Sequence, residues 1–430
     1  MSGSPSPDFV PPLRLPAPGL PIAASVSREW YNTFNEDAQE VLEVRAWTRK
    51  EGSSTVPREE CHTRTFRALV SYLTERHHQC MLVRQLTLAG PTELQTLEFG
   101  MEGVAIGRPR LTLCLVAAFL SHLPLVTSVR IENVDWERCN PREEGLIHDN
   151  LRDKTANKRN FASIQLVDIH TSGNCPVHPL SVLSLAMSAD SLKLHAVDIP
   201  MTPFHDHLPP LKKLEVTAQG PETDFLLECL SGHWENNSLQ ALHIENVSTE
   251  EFSFVRQLLM EHKHSITQLQ IALADLTDTP PFDIWKRMRL HKCKNLQEFF
   301  IDVEADARGP MQLVAMHIAA LEALKILAGM QNCSHITMRL HVPLVPGASA
   351  LKVWKEHEWE RLNHALGKFR RLDDFTLIFV LSSVPEWFLP MERRVMMERD
   401  DRNVMHTRLP ILGGEKGTPS VNFAYEYQIL

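Results

Sequence analysis

A chain of 430 residues is longer than one compact core fills, since such cores stop growing near roughly 250–300 residues, so it must divide into domains or stack repeated units. Hydrophobic residues make up 43% and charged residues 23%, the balance of a folded protein, which excludes disorder throughout. Lys and Arg number 44 against 53 Asp and Glu, a formal net charge of −9. That is the wrong sign for a general nucleic-acid binder and too mild for an acidic tail protein.

Seven prolines between Pro5 and Pro21 remove backbone donors and fix φ, which predicts an extended, disordered leader over residues 1–22. A helix-like segment follows from Ala23 to Asn35, with Val26, Trp30 and Phe34 at four-residue spacing. No basic stretch followed by an apolar core opens the chain, so no signal peptide is expected. The longest uninterrupted apolar run, Leu113 to Leu120, is far short of the ~20 residues of a membrane span. Eight scattered cysteines form no C-x-x-C pair and predict reduced, mostly buried thiols in the cytosol or nucleus. The N-x-S sequons at Asn236, Asn246 and Asn332 then read as chance matches.

The dominant signal is an internal repeat. The hexapeptide φ-x-x-φ-x-φ, with φ apolar, recurs ten times. It reads VRQLTL from Val83, VTSVRI from Val126, FASIQL from Phe161, ADSLKL from Ala189 and LKKLEV from Leu211. It continues as LQALHI from Leu239, ITQLQI from Ile266, LQEFFI from Leu296, HITMRL from His335 and LDDFTL from Leu372. Nine steps cover the 289 residues from Val83 to Leu372, a mean period of about 32, a little longer than the 20–29 residues of a leucine-rich repeat. The third and fifth residues of each window test the pattern independently. Of those twenty, only Ala241 and Phe300 are apolar, which predicts a one-sided strand in every window.

Helical faces lie between the windows: Phe66, Leu69, Val70 and Leu73; Phe252, Val255 and Leu259; Leu362, Leu366 and Phe369. Strand, helix and parallel strand at a repeating interval predict a solenoid in which each unit buries its apolar face against its neighbours. The fold expected is therefore α/β: a leucine-rich-repeat-like solenoid with a parallel sheet on the concave face and helices outside. Insertions are expected around residues 89–125 and 137–160, the latter a charged, solvated loop. Residues 23–60 are expected to form an N-terminal cap or domain remnant, and 61–383 the solenoid. In the C-terminal cap at 384–430, a helix is expected over Glu386–Met405 and a strand over the alternating Val421, Phe423, Tyr425, Tyr427 and Ile429.

Chemistry-bearing motifs are weak. His77–His78 with Cys80, His205–His207, His262–His264 and His291 with Cys293 each lack a second pair at zinc-ligand spacing. His357–Glu358 has Arg361 where a zincin helix needs its second histidine. No G-x-S-x-G, P-loop or dinucleotide fingerprint occurs, and Gly413–Thr418 reads as a flexible turn. The expectation is a non-enzyme with no cofactor and no metal. The twenty outward positions are the better candidates, because they line the binding face of a solenoid. Their charge is nearly balanced, Arg130, Lys193, Lys213 and Arg339 against Glu215, Glu298 and Asp374, which suits protein recognition rather than a phosphate backbone. Phe300 is either an aromatic anchor or a residue packed under a loop.

Phe66–Leu88, FRALVSYLTERHHQCMLVRQLTL, is similar to the helix and first strand that open the leucine-rich-repeat-like region of fungal F-box proteins. Ala24–Trp30, ASVSREW, resembles the end of an F-box. Only the Pro-rich leader precedes Ala24, so the F-box is largely absent and its final helix alone is expected. The resemblance implies a substrate receptor of a cullin-type ubiquitin ligase. Val26 and Trp30 would then bind the Skp adaptor, and the solenoid would hold a protein substrate. The alternative is a repeat scaffold with no ubiquitin role. Neither nucleic acid nor membrane is expected as a partner.

Overall fold

Side chains alternate between the faces of a strand, so a hexapeptide with apolar fourth and sixth residues has one side to bury. In the computed structural model these residues are 2% exposed or less in all ten windows, from Leu86 and Leu88 to Phe375 and Leu377. Each such side chain contributes about 1.5–3 kcal/mol when fully buried. The structure describes residues 41–46, 48–49, 65–75, 82–91, 106–140, 158–171, 177–200, 208–217, 226, 228–230, 238–248, 252–275, 283–303, 310–330, 332–343, 356–369, 371–384, 399 and 420–429. The fold is α/β, with helices and a thirteen-stranded parallel sheet. Contacts divide the chain into two compact units. The first holds Met1–Ala189 and His195–Thr202, the second Asp190–Leu194 and Pro203–Leu430.

The first unit contains β1 (Val41–Arg45), β2 (Thr48–Arg49), α1 (Phe66–Glu75), β3 (Gln85–Ala89), β4 (Ile106–Gly107), β5 (Arg110–Thr112), α2 (Leu113–His122), β6 (Ser128–Glu137) and β7 (Arg159–Thr171). It also takes the two ends of β8 (Ala186–Val197), which follow a 3-10 turn at Pro179–Leu185. β1 pairs with β3, β3 with β6 and β6 with β7, all parallel. α1 buries the predicted face of Phe66, Leu69, Val70 and Leu73, and Phe66 meets Phe119 of α2 edge to face with ring centres 6.2 Å apart. β1 is a strand the repeat search passed over: Leu42 and Val44 fill the buried positions, in register with Leu86 and Leu88.

The stretch 89–125, expected as an insertion, instead supplies β5 and α2. The apolar run Leu113–Leu120 is helical because it is buried on nearly every side. Thr112 caps it by accepting from the Leu115 N–H. At its other end the Arg159 guanidinium donates to the carbonyls of Leu120 and Leu123, 2.6 Å each. Burial pushes the Arg159 pKa down.

β5 pairs with β6 through Arg110↔Asp135, Leu111↔Trp136 and Thr112↔Glu137. That register brings Cys114 and Cys139 together, and they form a disulfide. The expectation of reduced thiols is therefore corrected for this pair. A 25-residue separation hides the pairing until β5 settles beside β6. Among the described residues, Cys293 and Cys333 are buried thiols outside any disulfide, and Cys229 is half-buried. Burial pushes the Cys293 and Cys333 pKa values up to about 11 and about 12.

The second unit adds β9 (Leu211–Thr217), β10 (Ala241–Ser248), α3 (Phe252–Glu261), β11 (Gln268–Asp275), α4 (Ile284–Arg287), β12 (Glu298–Val303), α5 (Pro310–Ala328), β13 (His335–Pro343), α6 (Glu356–Leu366), β14 (Asp374–Val384) and β15 (Ser420–Ile429). β9 to β15 pair in chain order, each parallel to the next. α3 and α6 bury the expected faces around Val255, Leu259, Leu362 and Leu366. Trp285 of α4 donates its indole N–H to the Ala319 carbonyl of α5 at 2.6 Å and packs edge to face on Phe299. The alternating C-terminal segment is β15, hydrogen-bonded along β14 from Asp374↔Ser420 onward.

A recurring hydrogen bond fixes the frame of the repeat. The Gln240 carbonyl accepts from the Thr267 and Gln268 N–H groups, Thr267 from Gln297 and Glu298, Gln297 from Ser334 and His335, and Ser334 from Asp373 and Asp374. His335 thus occupies a third position, aligned with Glu298 and Asp374, and the ninth window begins at Cys333 rather than His335. A two-residue slip keeps every side chain on its own face, so the inward and outward assignments survive. The leader, the Ala24–Trp30 segment with Val26 and Trp30, and nearly all of the expected Glu386–Met405 helix lie outside the described residues.

Candidate functional site

None of the twenty outward residues is buried. Of the eight expected to bind a partner, Arg130 belongs to the first unit, and Lys193, Lys213, Glu215, Glu298, Phe300, Arg339 and Asp374 to the second. Arg130 donates to Glu132 at 2.6 Å and to the Gln165 amide oxygen at 3.2 Å, across the β6–β7 pairing.

In the second unit Lys193, Lys213 and Glu215 converge. Lys193 pairs tightly with Glu215, and Lys213 lies 3.5 Å from its other oxygen. His243 lies 4.0 Å from Glu215 and 3.2 Å from Glu245. Burial raises the Glu215 pKa, but the hydrogen bond and charge of Lys193, with His243 and Lys213, outweigh it and hold the carboxyl below its ordinary value. Burial also lowers the His243 pKa, against the opposing pull of Glu245 and Glu215.

A second cluster involves Arg339, which donates to Asp302 at 2.8 Å and to Glu426 at 2.9 Å, while His341 lies 3.0 Å from Asp302. Burial opposes the Arg339 charge, but Asp302 and Glu426 prevail and raise its pKa. Arg339 is thus engaged within the fold, on side chains that a six-residue window could not reveal. Asp302, Glu426, Glu245 and His341 all lie beyond the sixth position, where the strands continue. At this end the outward face closes: Thr217, Asp302 and His341 are 8%, 8% and 5% exposed.

Between the clusters, third and fifth positions of β9 to β13 surround a hollow of about 250 Å³, lined by Lys213, Ala241, His243, Gln268, Gln270, Glu298, Phe300, His335 and Thr337. It exists because Ala241 stands in register between Lys213 and Gln268, a short side chain in a row of long ones. Asp374, farther along, accepts from Asn422 at 2.6 Å and Thr376 at 3.2 Å. With the added positions the outward face of this unit carries Lys193, Lys213 and Arg339 against Glu215, Glu245, Glu298, Asp302, Asp374 and Glu426. It is acidic rather than nearly balanced.

Among the described residues no group of three or more His, Cys, Asp or Glu could hold a metal ion, and no helix is long and apolar enough to cross a membrane. Comparison with known families finds no family model that matches the chain, and comparison with curated proteins finds no match either.

Proposed function

We propose that the chain is a leucine-rich-repeat-like solenoid that recognises a protein through the third and fifth positions of its strands, without catalysis. The observation that carries this reading is the contrast within each window: fourth and sixth residues 2% exposed or less, third and fifth residues not buried and, Ala241 and Phe300 apart, polar. A face built this way has its backbone hydrogen bonds spent along the sheet, so side chains alone carry specificity. The resemblance of Ala24–Trp30 and Phe66–Leu88 extends the proposal to the substrate receptor of a cullin-type ubiquitin ligase.

The test replaces Lys213, Glu215, Glu298 and Phe300 together by alanine and compares partners cross-linked to the variant and to the wild type. Loss of partners with an unchanged circular dichroism spectrum supports the reading. Identical partners place the interface elsewhere. For the ligase role, co-purification with the Skp adaptor is expected from the wild type and lost in Trp30→Ala; a folded wild type that fails to bind leaves a recognition scaffold.

A further inference from the structure

We propose that the hollow over Ala241 receives an arginine side chain of the protein partner, with its guanidinium on Glu298 and its plane against Phe300. This rests on the recognition reading above and names the chemistry of that site. Glu298 is the carboxylate that lines the hollow, and among the described residues no lysine or arginine forms an ion pair with it. The Gln268 amide donates to one of its oxygens at 2.9 Å, whereas Glu215, Asp302 and Glu426 are each held by Lys193 or Arg339. Phe300 lies two residues along the same strand, hence on the same face, and is half-buried and lines the hollow.

A space of about 250 Å³ falls below the roughly 300–1,000 Å³ of small-molecule sites and suits a single side chain. A carboxylate beside an aromatic face selects arginine over lysine, because the planar guanidinium can bond a carboxylate through two N–H groups while stacking on a ring. The acidic balance of the surrounding face favours a cationic guest. The cation on the wall, Lys213, is drawn toward Glu215 at 3.5 Å, and burial favours the neutral form of His243.

The test uses the full chain and fluorescein-labelled octapeptides that differ only in a central arginine, lysine, citrulline or glutamate, read by anisotropy. Arginine should bind tightest, and citrulline about tenfold or more weaker, the loss of one charge-assisted contact. Glu298→Gln should equalise arginine and citrulline, and Ala241→Leu should exclude both by filling the hollow. Equal binding of arginine and citrulline to the wild type, an arginine preference that persists in Glu298→Gln, or no arginine-dependent binding at millimolar peptide would each overturn the assignment. If Glu298→Gln keeps every partner that the four-alanine variant loses, the arginine assignment fails while the recognition reading stands.

Discussion

In the first unit the strands turn; in the second they run on. Asn133, Asp168 and Ala196 adopt φ of 54°, 50° and 48°, each five residues past the third position of its window. At these points the alternation slips by one: after Val129 and Ile131 the buried side passes to Val134 and Trp136, and after Ile164 and Leu166 to Ile169. In the second unit Phe299, Ile301 and Val303 keep strict alternation, as do Ile336, Met338 and Leu340. β10 carries the same Glu-Asn-Val tripeptide, at Glu245–Val247, and there it gains one residue on β11, its register passing from Ile244↔Ile271 to Val247↔Leu273.

The comparison teaches that one left-handed residue, repeated at the same level of β6, β7 and β8, behaves as an in-register bulge. It redirects everything downstream of it. In β6 and β7 it brings Asp135 and His170 into register, with Asp198 3.0 Å from His170. Burial raises the Asp135 pKa, opposed by Arg108 and reinforced by Glu137 and Asp198. The conformation costs an ordinary L-residue roughly 1–2 kcal/mol and Asn or Asp less, so Ala196 carries the largest penalty of the three.

The sharpest way to break the turned arrangement is Gly90→Ala. Gly90 follows β3 where β5 takes over beside β6, and its N–H donates to the Glu132 carbonyl at 2.8 Å. A Cβ there would lie 1.9 Å from the Asn133 carbonyl oxygen and 2.8 Å from Pro109 Cδ. With backbone on one side, the clash should cost about 4 kcal/mol. Hydrogen exchange should show β3 and β6 losing protection while β11 to β14 keep theirs.

Reduction of Cys114–Cys139 comes next. Opening a loop closed across 25 residues should cost about 3 kcal/mol, read as a lower denaturation midpoint with dithiothreitol and no such change in Cys139→Ser. The second unit has its own acid sensitivity. Burial lowers the His317 pKa from 6.5 to about 4, so as pH falls the unfolded chain binds the proton first. Stability is complete above the ordinary value and is lost between the two, about 3 kcal/mol in all. His317→Gln should flatten that part of the pH dependence in denaturant titrations. The smallest effect should be a gain: Ala196→Gly relieves the left-handed strain, stabilising by up to about 1 kcal/mol, whereas the same change at Ala241, in a strand without such a turn, should destabilise.

Much of the second unit is legible without coordinates, because within the windows of β11 to β14 the inward side chains sit at every second residue and a helix face intervenes. Of the residues the pattern singles out, Lys213, Glu298 and Phe300 line the hollow, and Glu215 lies 3.5 Å from Lys213. What escapes is what a six-residue window cannot hold. Asp302 and Glu426 engage Arg339 from beyond the sixth position, and His335 is misframed because only the hydrogen bonds that Ser334 and His335 donate to the Gln297 carbonyl fix its level. The left-handed residues do leave a trace, since Ile131-Glu-Asn-Val134, Leu166-Val-Asp-Ile169 and Leu194-His-Ala-Val197 share an apolar step of three where the strand pattern calls for two.

By itself the sequence determined the ten window strands and β15, their buried faces and the α/β class, because alternation and helical spacing are local properties that burial then rewards. Tertiary structure alone decided that Cys114 meets Cys139, that β5 replaces β3 beside β6, and that Ala241 opens a hollow between Lys213 and Glu298. Each of these depends on which residues of different strands share a level. That level is set by hydrogen bonds between segments far apart in the chain.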